Sequence, residues 1–193
     1  MDSKSSGFDF TAAMRLLCED VVTRLPELAH VDLDRVAISL CQARHAGSHG
    51  IYASLTPLRF ESGATQKKLR GRSYGVQRVR DESGQEFLYI LSFYVPRFLN
   101  TSLEEKLTTI LHELWHISQN FDGDLRRFEG RYYAHGSSQR DYDLKMAMLA
   151  QRWLALDPPQ HLYDFLEPTF EQLSAEHGGL TGQHWPVPRL IPR

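Results

Sequence analysis

Only two cysteines occur in the 193 residues, Cys18 and Cys41, 23 positions apart. So few exclude a disulfide framework, and their spacing excludes a Cys-x-x-Cys metal knuckle. Both thiols are expected to be free and to pack as small hydrophobes. Long apolar runs are missing too: no stretch approaches the ~20 residues of a membrane span. The opening Met1-Asp2-Ser3-Lys4-Ser5-Ser6-Gly7 is polar and lacks the apolar core of a signal peptide. The expected setting is cytoplasmic, with no membrane partner. Neither sign of charge dominates, since 22 Lys+Arg stand against 24 Asp+Glu for a formal net charge of -2. Repeats and low-complexity tracts are absent, which excludes solenoid and array architectures.

What remains is ample for one core. With 41% hydrophobic residues, the length predicts a single domain over 1–193, with residues 1–9 flexible and 183–193 an extended, proline-rich segment. Met14, Leu17, Val21 and Leu25 recur at near-helical intervals, predicting a helix from Phe10 to Leu25 that Pro26 ends. Four segments rich in β-branched and aromatic residues follow: Val36 to Leu40, Ile51 to Phe60, Tyr74 to Val79 and Phe87 to Val95. Together they predict one mostly antiparallel sheet. Ser138 to Leu156 reads as a helix stopped by Asp157-Pro158-Pro159, and Pro168 to Glu176 as a shorter one ending at Gly178-Gly179. The fold class expected is α+β.

The most informative string is His112-Glu113-Leu114-Trp115-His116. From the chain's own composition, such a H-E-x-x-H pattern arises by chance roughly 0.03 times, so its context decides its meaning. Thr101 or Ser102 can cap the helix that carries it, with Glu104 or Glu105 three residues on as reciprocal partner. Leu103, Leu107, Ile110, Leu111, Leu114 and Ile117 then repeat at helical spacing. At about 100° per residue, His112 and His116 fall together on the side opposite that stripe, with Glu113 on the flank. A lone histidine on a helix is usually a satisfied core residue. Two at i and i+4 beside a carboxylate fit that account poorly.

The residue types specify the chemistry. Two neutral imidazoles can hold Zn²⁺, a third protein ligand closes three corners of a tetrahedron, and the fourth is left for water. Glu113 is then the general base, outside the ligand set. Four downstream residues are candidates for the third ligand. His135, 19 residues after His116 in Tyr132-Tyr133-Ala134-His135-Gly136, is favoured because the intervening loop lets the chain turn back on the imidazoles. Asp122 lies where the compact H-E-x-x-H-x-x-G-x-x-H/D pattern places its ligand, but Gln119 stands where that pattern wants glycine. Asp124 and Glu129 are further rivals. Arg126, Arg127, Arg131, Tyr132, Tyr133 and Tyr142 are candidate oxyanion stabilisers.

His112-Glu113-x-x-His116 followed by His135-Gly136 resembles the SprT-like metallopeptidases, whose third zinc ligand is a His-Gly histidine after a comparable loop. The resemblance to phage-type metallopeptidases is closer. It covers about Leu103 to Tyr142, including Phe121-Asp122-Gly123-Asp124, Arg126-Arg127 and Arg131-Tyr132-Tyr133. It implies a zincin-like fold, in which the sheet backs the metal-bearing helix, and a zinc-dependent peptidase of minimal gluzincin type with His112, His116 and His135 as ligands. The chain departs from many SprT-like proteins in having no Cys-x-x-Cys ribbon after the motif.

Phe87 to Val95 is a candidate edge strand for pairing with an extended peptide substrate; its simpler reading is an interior strand. Lys67, Lys68, Arg70, Arg72, Arg78 and Arg80 concentrate positive charge around Tyr74. With a pI near 6.5, that segment reads as a solvated basic face before it reads as a nucleic-acid contact. His45 and His49 share the i,i+4 spacing, but Ala46-Gly47-Ser48 and Gly50 make that segment a turn and no second zinc site. The activity expected is hydrolysis of protein or peptide substrates. The alternatives are a DNA-associated protease, a zinc-stabilised binding module without turnover, and an amidase acting on cell-wall peptides.

Overall fold

The computed structural model describes residues 7–43, 50–127 and 139–193. In chain order its elements are β1 (Phe8–Asp9), α1 (Phe10–Arg24), β2 (Val36–Gln42), β3 (Ala53–Pro57), β4 (Gln66–Leu69), β5 (Arg72–Val76), β6 (Tyr89–Val95), α2 (Leu103–Trp115), α3 (Gln139–Ala155), α4 (Phe170–His177), β7 (Leu180–Thr181) and β8 (Leu190–Pro192). The architecture is mixed α+β with three small sheets, in the orders β1-β7, β2-β6-β3 and β4-β5-β8. Three of the five strand pairings are antiparallel; β1-β7 and β2-β6 are parallel. Among the described residues no helix is long and apolar enough to cross a membrane.

Two sequence expectations need correction here. The four strands before α2 do not form one sheet. The segment predicted as Tyr74 to Val79 pairs instead with β4, an unforeseen strand, across Arg70-Gly71. Both turn residues have positive φ (49° and 82°), the two-residue turn whose twist matches a hairpin. The other side of β5 takes β8, so part of the proline-rich end is a strand. Nor is the Phe87 to Val95 segment an edge. β6 is the middle strand, bonded to β2 on one side and β3 on the other, and its nearly continuous burial agrees with that place.

The central sheet has a core on each face. Tyr89, Leu91 and Phe93 of β6 pack with Phe10, Met14 and Leu17 of α1, Leu107, Ile110 and Leu114 of α2, and Met146 and Trp153 of α3. Ile90, one residue out of phase, points to the smaller cluster of Ala37, Leu58 and Phe87, covered by Val76, Val79 and Trp185. α2 begins where the sequence predicts. Ser102 accepts from the Glu105 N–H while the Glu105 side chain accepts from the Ser102 N–H, a complete capping box. α2 stops at Trp115, with His116 as its C-cap. α4 ends at Gly178, whose left-handed φ of 73° suits a residue without Cβ.

Candidate functional site

α2 carries His112, Glu113 and His116 to a place between β3 and α3. One helical turn sets the two imidazoles side by side, with ring centroids 4.7 Å apart. Their Nε2 atoms converge to 3.0 Å. Two nitrogens each ~2.0–2.1 Å from one tetrahedral zinc ion would stand about 3.3 Å apart, so this donor pair is spaced to share a cation. A proton can bridge the same two nitrogens, one ring donating and the other accepting. The far side of His112 faces α3, where Asp143 lies 4.0 Å from Nδ1.

The segment after His116 folds back at once. The Arg126 N–H donates to the His116 carbonyl at 2.7 Å, and Ile117 bridges Leu125 across a tight loop. Tyr89 from the sheet pins that loop, donating to the Asp124 carbonyl and accepting from the Gly123 N–H. Asp122 accepts from the Asp124 N–H inside the same loop. The Asp124 carboxylate is held by Arg127 and by the Ser62 N–H. Among the described residues no third His, Cys, Asp or Glu joins the imidazole pair in a metal-sized group. Asp122 and Asp124 are therefore not brought to it. His135, the favoured third ligand, and Glu129 lie outside the described residues, as do His45 and His49.

Glu113 is buried, and burial pushes its carboxyl up to about 7, against the opposing pull of the Leu55 N–H. That donor has a structural origin. The Tyr94 N–H bonds the Tyr52 carbonyl and the Leu58 N–H bonds the Leu88 carbonyl, so alternate residues of β3 point toward β6. Ala53 and Leu55 consequently turn their backbone groups outward, toward α2. A carboxyl near 7 is suited to taking and returning a proton at neutral pH. A cation held by the adjacent imidazoles would draw it downward.

Tyr142 of α3 covers the pair from the other side. Its ring centroid lies 4.9 Å from that of His112 and 5.8 Å from that of His116, nearly parallel to the latter. Of the candidate oxyanion stabilisers, Tyr142 is the one brought beside the imidazoles among the described residues. Arg127 is committed to Asp124, and Arg126 lies 4.0 Å over the Trp115 ring. Arg131, Tyr132 and Tyr133 are outside the described residues. A cavity of about 290 Å³ opens beside the motif, lined by His112, Glu113, Thr108, Thr109, Asp143 and the Gly50 to Ala53 stretch. The sequence did not single out Thr108, Thr109, Asp143 or the Leu55 amide.

Compared with known proteins, the chain matches no family model, no curated protein and no solved structure.

Proposed function

We propose that the chain is a zinc-dependent metallopeptidase that hydrolyses peptide bonds in a protein or peptide substrate. The reading takes a zincin-like arrangement, with β3 as the strand beside the metal-bearing helix. The observation that carries it is the 3.0 Å convergence of the His112 and His116 Nε2 atoms next to the buried Glu113. His112 and His116 would hold Zn²⁺, with His135 as the third ligand that the family resemblance implies. When bound, the metal supplies Lewis acidity at the scissile carbonyl.

The chain's own groups do the rest. Glu113 takes a proton from the attacking water and returns it to the leaving amine, oriented by the Leu55 N–H. With the Leu55 N–H given to Glu113, the outward backbone groups of Ala53 and the Leu55 carbonyl remain as an edge against which an extended peptide can lie. The 290 Å³ cavity at the start of β3 receives one of its side chains. The Tyr142 hydroxyl donates weakly to the His112 carbonyl at 3.5 Å, and from beside both imidazoles it would exchange that acceptor for a developing oxyanion.

Metal analysis of purified protein is expected to find close to one zinc per chain, lost in His112→Ala and in His116→Ala. Glu113→Gln is expected to keep zinc and to cleave casein about 10²–10⁴ times more slowly, the usual worth of a general base. Zinc binding by a chain that cleaves no peptide would reassign it as a zinc-stabilised binding module. Wild-type cleavage by Glu113→Gln would overturn the mechanism.

A further inference from the structure

Where Leu58 of the smaller core cluster meets the β4-β5-β8 sheet, three arginines distant in sequence line a second cavity. It measures about 190 Å³ and is lined by Arg59, Arg78 and Arg193, with Thr65, Gln66, Leu58 and Val76 between them. Since one water occupies about 30 Å³ in the liquid, the cavity has room for a small polyatomic anion and part of its hydration shell. Arg59 is largely buried and rigidly placed: one Nη donates to the Leu58 carbonyl at 2.8 Å and the other to Glu86 at 2.8 Å. Arg78 stands 3.7 Å from the other oxygen of Glu86 and remains 55% exposed. Arg193 is drawn in by its backbone N–H, which donates to the Ser73 carbonyl. Its guanidinium lies over Gly75, where a Cβ would come within 3.0 Å of Nε.

We infer that this cavity is a binding site for a phosphoryl group, separate from the imidazole site and independent of the metallopeptidase reading. Three guanidiniums face the Glu86 side-chain carboxylate and the main-chain carboxylate of Arg193, so the cavity keeps a net positive charge. A phosphate monoester, which carries about −1.5 to −2 at pH 7, is drawn to that charge more strongly than a singly charged carboxylate. Guanidinium forks match phosphate oxygens in pairs, and the Thr65 hydroxyl and Gln66 amide add neutral donors. The adjoining hairpin reinforces the field, since residues 66–76 add Lys67, Lys68, Arg70 and Arg72 and contain no Asp or Glu.

Calorimetric titration of the full chain with inorganic phosphate and with glycerol phosphate tests this, at a constant ionic strength of about 0.15 M, where screening acts within about 8 Å. Saturable binding of phosphate above the chloride background is expected. It should weaken about tenfold or more in Arg78→Gln/Arg193→Gln, both exposed positions, with the thermal midpoint retained. Lys67→Gln/Lys68→Gln, on the next strand and outside the lining, should change it less than about threefold. Tighter binding of the monoester identifies a phosphorylated small molecule as the ligand, and equal or weaker binding identifies the free ion. The inference is overturned if phosphate binds no better than chloride or if the arginine variant binds like wild type. It fails equally if the lysine variant loses as much, because the attraction would then be a diffuse field.

Discussion

At the scale of single residues, burial sets reactivity. Cys18 is fully enclosed in the α1 face of the core, and burial, aided by the neighbouring Glu19 charge, raises its thiol to about 12. At pH 8 only about one molecule in ten thousand then carries the thiolate, the form that attacks thiol reagents. Cys41 is half-buried on β2, 3.6 Å from the Ser39 hydroxyl. A colorimetric disulfide reagent at pH 8 is therefore expected to titrate one thiol quickly in the native protein and the second only after denaturant is added. Two fast equivalents would contradict this core. Glu113 illustrates the same principle with a different outcome, since its burial raises a carboxyl into the range where it can exchange protons near neutrality. The i,i+4 geometry of His112 and His116 was legible in the sequence because one helical turn suffices to specify it. The donor that holds Glu113 comes from a strand 58 positions earlier, a distance no local periodicity encodes.

At the scale of elements, the loop that returns from α2 depends on one carboxylate. Asp124 is almost buried, which raises its pKa, but Arg127 and the Ser62 and Leu125 N–H groups more than offset this and hold it below the ordinary range. A folded-state pKa below the unfolded value, about 3.9, contributes stability above that pH and loses it as the pH falls through the folded value. Urea unfolding followed from pH 7 to pH 2 should accordingly show stability falling below about pH 4. In Asp124→Asn that component should vanish, with roughly 2 kcal/mol already missing at pH 7 because charge-assisted hydrogen bonds are lost. An unchanged acid limb would mean that Asp124 does not hold the loop. The sequence anticipated the helices closely, with the Ser102 cap of α2 among its two candidates and the Asp9 and Thr169 caps of α1 and α4 unread, because apolar stripes are local signals. It misassigned the strands, since alternation reports that a segment is extended but not which neighbour it pairs with. β5 went to a separate sheet because Arg70-Gly71 closes a tight hairpin onto β4 and because β8 arrives from more than 110 positions away.

At the scale of the molecule, the two three-stranded sheets differ in what covers them. β6 is bonded along both edges and has a core on each face, whereas β4 carries exposed lysines and has an outer edge without a strand partner among the described residues. Backbone amides open at a free energy that follows such burial. Hydrogen exchange is expected to be slowest from Ile90 to Phe93 and about 100-fold or more faster across Gln66 to Leu69. Equal protection would show that the basic sheet opens only with the main core. Charge is divided along the same line. The overall formal charge of -2 conceals a hairpin, residues 66–76, with four cations and no anion, and chain-wide composition hides such segregation. Arg59 and Arg193 join that hairpin only through folding, so their meeting could not have been read from the chain.

The Leu55 contact bears on how this site can change over time. Its contribution to Glu113 is made by the main chain, and nineteen of the twenty amino acids would supply the same group. Leu55 can thus drift among apolar replacements that keep its packing while the base stays anchored. Proline is the one replacement that removes the anchor outright. A search for invariant letters would pass over this half of the apparatus and find only the motif it steadies.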